Sequence, residues 1–150
     1  MKRVNSIIEI QMNSHLKYEM NLDSGMLFLD RVIKLPYPAN YGYIPGTVED
    51  DEDAIDIFVI ANEPITQGAM CQVYLAGAFI CKDQDVYDRK LVAYLESQNN
   101  ILYSDYLKIK EFLTNYKIGF EVIEYVTQDE AIKIYENSAK VFSESIREVK

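Results

Sequence analysis

Short apolar or alternating runs recur from residue 4 to residue 94: "VNSIIEIQ", "LKYEMN", "MLFLDRVI", "IDIFVI", "MCQVYLAGAFIC" and "KLVAYL". They are rich in β-branched and aromatic side chains, and "DSG", "NEP", "QG" and Pro-containing segments separate them. This spacing predicts an antiparallel sheet that closes on itself. The segment "LPYPANYGYIPGT", residues 35–47, holds three Pro and two Gly in 13 positions and predicts a shaped loop rather than a strand.

Helical periodicity starts only after residue 100. In "SDYLKIKEFLTNYKIG", Ser104 is placed as an N-cap, and Ile109, Phe112, Leu113 and Tyr116 follow the i, i+3, i+4, i+7 rule. Gly119 offers a left-handed stop, so Tyr116 and Lys117 fall in the last turn. "FEVIEYV" predicts one more strand. The tail opens with a capping box, Thr127 to Glu130, and sets Ile132, Tyr135, Ala139, Phe142, Ile146 and Val149 on one stripe. That stripe is too short to argue for a coiled coil and predicts a helix packed on the sheet.

A length of 150 residues suits one domain, residues 1–150, with a core that needs no disulfides. The balance of 15 Lys and Arg against 24 Asp and Glu, net −9, is the wrong sign for a general nucleic-acid or anionic-membrane binder and points to cations as counter-charge. No run of about 18 apolar residues predicts a membrane span, and the N-terminal run is broken too early for a signal peptide, which predicts a cytoplasmic protein. Cys71 and Cys81 have no CxxC spacing and read as reduced core thiols. With His15 the only histidine, a zinc site or a His-based nucleophilic catalyst is hard to assemble. Any chemistry must run on carboxylates, Lys, Arg and Tyr.

Three stretches carry such groups. "EDDEDAIDIFV", residues 49–59, sets six acids within eight positions at the lip of an apolar strand. Asp51 and Asp53 share a face if extended, and Asp56 joins them only if the chain turns between. The stretch lacks the Gly and Glu positions of an EF-hand, but hard cations such as Mg²⁺ need only a few carboxylates beside water or phosphate oxygens. In "DQDVYDRKLVAY", Asp88 and Lys90 share a strand face, and Asp83 precedes the turn leading into it. In "LKYEMN", Lys17 and Glu19 share a face, and Glu9 lies opposite Ile8 and Ile10. Each of these alone is also what a solvated strand face or a charged hairpin shows.

Taken together, "KYE", "LDR", "YPANYGYIP", "DEDAID" and "DQDVYDRK" stand in an order and spacing that resemble the soluble family I inorganic pyrophosphatases, from "IEI" near residue 8 to "NYK" at 115–117. The resemblance implies a mainly β (α+β) fold: a closed five-stranded OB-like β-barrel with additional hairpin strands and two flanking α-helices. It implies Mg²⁺-dependent hydrolysis of pyrophosphate to two orthophosphates, with Mn²⁺ or Zn²⁺ able to stand in. By the same resemblance Asp51, Asp56 and Asp88 would hold the cations that activate the attacking water. Asp83 would add a ligand for a metal entering with substrate, and Glu9 and Glu19 would complete the acidic wall. Asp53 would be the base. Lys17, Tyr41 and Lys90 would hold the phosphate under attack, and Arg31, Tyr116 and Lys117 the leaving phosphate.

Such a site would neutralise a dense anion, and Arg31 could grip phosphate oxygens bidentately where lysines act as point charges. The implied partners are pyrophosphate and other copies of the chain in a homo-oligomer, hexameric in bacterial relatives, with neither nucleic acid nor membrane. The chain departs from the family pattern at Glu52, usually Gly or another small residue, at Ala54, usually Pro, and at Gln11, also usually Pro. The loop from Glu9 to Lys17 is one residue shorter than the common bacterial form. The alternative reading is a divalent-metal and phosphate-binding module of the same fold that has lost turnover through the altered Asp loop. A third is an acidic β-domain for partner binding, which the interleaved Lys and Arg residues argue against.

Overall fold

A computed structural model describes residues 2–149, with side chains as far as Ile146. Its strands are β1 (Arg3–Ile10), β2 (Leu16–Asn21), β3 (Met26–Val32), β4 (Asn40–Tyr43), β5 (Asp56–Ile60), β6 (Met70–Asp83), β7 (Val86–Tyr94) and β8 (Phe120–Thr127). The helices are α1 (Tyr103–Thr114) and α2 (Gln128–Val149). None of the described helices is long and apolar enough to cross a membrane.

The ladder β1-β4-β5-β7-β6 returns to β1, so five strands close a ring in the order of an OB-like barrel. The expectation of an antiparallel sheet needs one correction, because β5 and β7 run parallel. Strand β6 is long enough to serve both the ring and its extension. Its first residues pair with β1 and its later ones with β8 on the same edge. The hairpin β2–β3 forms a separate two-stranded sheet.

Two apolar clusters explain the nearly continuous hydrophobic runs of β5 and β7, which are covered on both faces. Ile57, Val59, Leu91 and Ala93 join the cluster that packs under α2. Phe58 and Val92 point the other way, with Tyr37, Tyr41 and the α1 residues Ile109, Phe112 and Leu113. Cys81 is buried and Cys71 partly so, both as free thiols.

Residues 35–47, expected as loop, contain β4. Its four residues are all buried between Pro38 and Pro45, which flank the strand without interrupting its ladder. Gly42 is required there, since a Cβ would run into the carbonyl oxygen of Ile7 on β1. Helix α1 starts one residue before Ser104 and has no side-chain cap. The hydroxyl of Tyr94 on β7 instead accepts the Leu102 N–H at 2.8 Å and donates to Asp105 at 2.7 Å. The helix ends at Thr114, so Tyr116 and Lys117 lie in the turn beyond it, and Gly119, at φ +83°, bends the chain into β8. Among the described residues of α2, Ala131 and Ser138 are the buried positions, with Ile132, Ile134 and Tyr135 packed beside the core. Ile146 is exposed, so the seam is rotated from the expected stripe, and Val149 lies outside the described side chains.

Candidate active site

The strand register places the central pair. Asp56 opens β5 directly opposite Lys90 on the parallel strand β7, at the end of the face that buries Phe58 and Val92. Asp88 lies two residues before Lys90 on the same face. The Lys90 side chain is 2% exposed, and its ammonium sits 2.9 Å from Asp56 and 3.3 Å from Asp88. It also donates to the Tyr41 hydroxyl at 2.6 Å, and that hydroxyl donates to Asp56 at 2.7 Å.

Burial pulls the Lys90 ammonium down, but Asp56 and Asp88 outweigh it and hold the group above the ordinary lysine range. It is therefore a cation at neutral pH. Burial raises the Tyr41 hydroxyl, with Asp56 adding to it, so Tyr41 stays a donor. Asp88 is raised by burial in spite of Lys90.

Asp51 and Asp53 stand on a tight turn. Glu49 N–H donates to the Asp53 carbonyl at 2.8 Å, Glu52 N–H to the Glu49 carbonyl at 2.9 Å, and Asp53 N–H to the Asp51 carboxylate at 3.0 Å. Burial, and then the nearby acids, raise both carboxyls. From β1, Glu9 accepts the Met20 N–H at 2.8 Å; burial lifts its carboxyl to about 7 against that bond, and Asp56 and Glu19 add to the rise. From the hairpin, Lys17 pairs with Glu19 at 2.6 Å and Asp30 at 3.1 Å. Burial depresses its ammonium, but the Glu19 bond, Tyr116 and Asp30 turn the net shift upwards. Lys117 bridges to Asp83 at 2.8 Å.

Twelve of the expected site residues, Glu9, Lys17, Glu19, Tyr41, Asp51, Asp53, Asp56, Asp83, Asp88, Lys90, Tyr116 and Lys117, line one cavity of about 240 Å³. Arg31 does not. It lies in register opposite Lys17, with its guanidinium 5.7 Å from the Tyr116 ring centroid, and lines a neighbouring pocket of which Tyr116 is also a wall. Tyr18, Met20, Leu22, Tyr43 and Ala54 complete the lining; Ala54 stands out in the sequence only as a departure from the family pattern, and nothing in local spacing singles out the other four. Also unanticipated is Arg89, on the opposite face of β7 from Asp88 and Lys90, which pairs with Glu49 at 3.0 Å and Asp50 at 3.6 Å.

Seven carboxyls and three ammonium groups line the cavity. Among the described residues no three acidic, His or Cys side chains form a ready-made ligand set, and the Lys90 ammonium sits between Asp56 and Asp88. The donors are nevertheless all hard oxygens in excess over the cations, and burial and mutual repulsion already raise several of them. That is the donor chemistry of a site for hard divalent cations.

The family model described as inorganic pyrophosphatase matches residues 6–143. The inorganic pyrophosphatase of Campylobacter jejuni is 35% identical over 156 residues, covering 92% of this chain and 91% of the relative. That of Aeropyrum pernix is 35% identical over 127 residues, covering 76% and 72%. Among solved structures, the Coxiella burnetii inorganic pyrophosphatase superposes with a TM-score of 0.88 at 28% identity, covering 94% of this chain and 95% of that one. The Helicobacter pylori inorganic pyrophosphatase gives 0.87 at 28% identity, covering 95% and 94%. The match in sequence spans the strands that carry the cavity, the match in fold spans nearly the whole chain, and the chain belongs to the inorganic pyrophosphatase family, in its family I form.

Proposed function

We propose that residues 1–150 act as a single domain that hydrolyses inorganic pyrophosphate to two orthophosphates with Mg²⁺ as its cation. The observation that carries this reading is the interleaving, in one cavity, of seven carboxyls with the ammonium groups of Lys17, Lys90 and Lys117. A site for a bare anion has no use for the acids, and a site for a bare cation has no use for a buried ammonium. A polyanion complexed with divalent cations requires both.

Bound cations would neutralise the substrate's charge and bring a water's pKa towards neutrality. Asp51, Asp56 and Asp88 are the proposed ligands, Asp83 the ligand for a cation arriving with substrate, and Glu9 and Glu19 the outer acidic wall. Mn²⁺ or Zn²⁺ would compete for the same oxygens. Lys90 divides its N–H donors among Tyr41, Asp56 and Asp88, so engagement of those carboxylates would redirect the donors to phosphate oxygens. Lys17 and Tyr41 would hold the same phosphate. Arg31, held against Tyr116, and Lys117 would hold the leaving one. Asp53, a carboxyl raised by burial and by the acids around it, is the proposed proton acceptor.

Phosphate release from pyrophosphate by the purified protein with Mg²⁺, with and without chelator, tests this reading beside Asp56→Asn. The expected loss in the variant is about 100-fold or more, the scale for removing a group that acts on transition-state charge. Full activity in Asp56→Asn would overturn the assignment. Binding of Mg²⁺ and phosphate without turnover by the intact protein would replace the enzyme with a binding module. A cytoplasmic location and a homo-oligomeric assembly, hexameric in bacterial relatives, complete the proposal. They are supported by the two free thiols and by exposed apolar side chains such as Phe28, Leu29 and Val32 on the β2–β3 hairpin. Sedimentation of the protein at micromolar concentration tests the assembly.

A further inference from the structure

The turn that carries Asp51 and Asp53 is tied to the rest of the molecule from outside the cavity. Strand alternation sends Asp88 and Lys90 to the cavity and Arg89, between them, to the opposite face. There the Arg89 guanidinium reaches Glu49 at 3.0 Å and Asp50 at 3.6 Å, the two residues immediately before Asp51. The Glu49 side chain is 8% exposed, and its Oε1 is buried with no hydrogen-bond partner, so Arg89 is what compensates its charge. Glu49 in turn anchors both ends of the turn, its N–H on the Asp53 carbonyl and its carbonyl on the Glu52 N–H. One strand thus presents two cavity residues on one face and, on the other, holds the loop that brings two more.

We propose that Arg89 is a positioning residue: through Glu49 and Asp50 it fixes the turn on which Asp51 and Asp53 stand, and so sets the affinity of the cavity for divalent cations. The proposal rests on the reading of the cavity as a cation site. It is distinguishable from a plain charge effect by sign. Removing a nearby positive charge should tighten cation binding, and removing a nearby negative one should weaken it. Loss of a positioning contact weakens binding whichever partner is removed.

The test compares wild type, Arg89→Gln, Glu49→Gln, the double variant and Arg89→Lys in calorimetric titrations with Mg²⁺ alone, beside amide hydrogen exchange of residues 49–53. The double variant removes both charges together and keeps the comparison readable if Arg89→Gln, with an uncompensated Glu49, folds poorly. The expected result is weaker Mg²⁺ binding, about three- to tenfold by the coupling scale of neighbouring residues, in both single variants. The double variant should fall no further than the weaker single, Arg89→Lys should recover part of the loss, and exchange at Glu52 and Asp53 should quicken. Turnover at saturating Mg²⁺ should change less than affinity does. Tighter binding in Arg89→Gln, or losses in the two single variants that multiply in the double, would overturn the proposal. Absence of pyrophosphate turnover in the wild type would remove the enzyme reading and leave the binding and exchange comparison intact.

Discussion

Glu52 occupies a backbone conformation, φ +69°, that a glycine adopts freely and an L side chain does not. The family pattern sets Gly or another small residue at this position, and the Glu52 side chain is exposed. Glu52→Gly is therefore expected to stabilise the fold by up to about 1 kcal/mol, the scale of a relieved left-handed residue less the added freedom of the unfolded chain. Thermal unfolding should show it as a rise of about 2–4 °C at this chain length. A fall in melting temperature would mean that the carboxylate contributes more than the backbone loses. At the same scale, the pairing of Asp88 with Lys90 follows from two-residue alternation alone, whereas the reach of Arg89 to Glu49 follows from no local pattern.

At the scale of elements, what separates a readable strand from an unreadable one is how it is covered. Strands β5 and β7 are continuous apolar runs because both faces are buried, and their composition shows it. Strand β4 is as deeply buried, but its flanking prolines and Gly42 imitate a loop, and only the approach of β1 explains the glycine. Helix α1 shows the converse case. Ser104 suggests a cap by its type, yet Tyr94 from β7 supplies the partner for the first turn, so the start is fixed by a contact across the fold. Tyr94→Phe leaves the Leu102 N–H and the Asp105 carboxylate without that hydroxyl and should destabilise the protein by about 1–3 kcal/mol. Urea unfolding with an unchanged m value checks it, and an unaltered midpoint would show that water replaces the hydroxyl without loss.

At the scale of the molecule, seven of the 24 acids converge on one cavity, and this sets a pH dependence. Glu9 is lifted to about 7 by burial, and Asp51, Asp53 and Asp88 are raised in the same direction. Raised carboxyls mean that the folded chain binds more protons than the unfolded one between the ordinary carboxyl range and about pH 7. The metal-free protein therefore loses stability as pH rises through that window. Lys17 and Lys90, raised above the ordinary lysine range, titrate outside it. Divalent cations compete with those same protons, so their stabilisation should grow with pH. Melting curves from pH 5 to 8 should show the metal-free midpoint falling while the increment from Mg²⁺ widens. An increment independent of pH would remove these carboxyls from the cation site.

What the chain shows on its own is which side chains share a strand face and which face of α1 is apolar, while the resemblance of its charged motifs to a known family implied twelve residues of the cavity. The strand and helix faces are matters of period and spacing, which a chain carries locally; the cavity residues come from the resemblance. Tertiary structure decided the parallel contact of β5 with β7, the conversion of residues 40–43 into a buried strand, and the placing of Arg31 beside the cavity rather than in it. It also decided the clamp of Arg89 on the acidic turn. Each depends on groups from separate elements, such as residues 49 and 89, meeting in space, and neither periodicity nor composition records which distant partner a buried charge or a backbone donor will find.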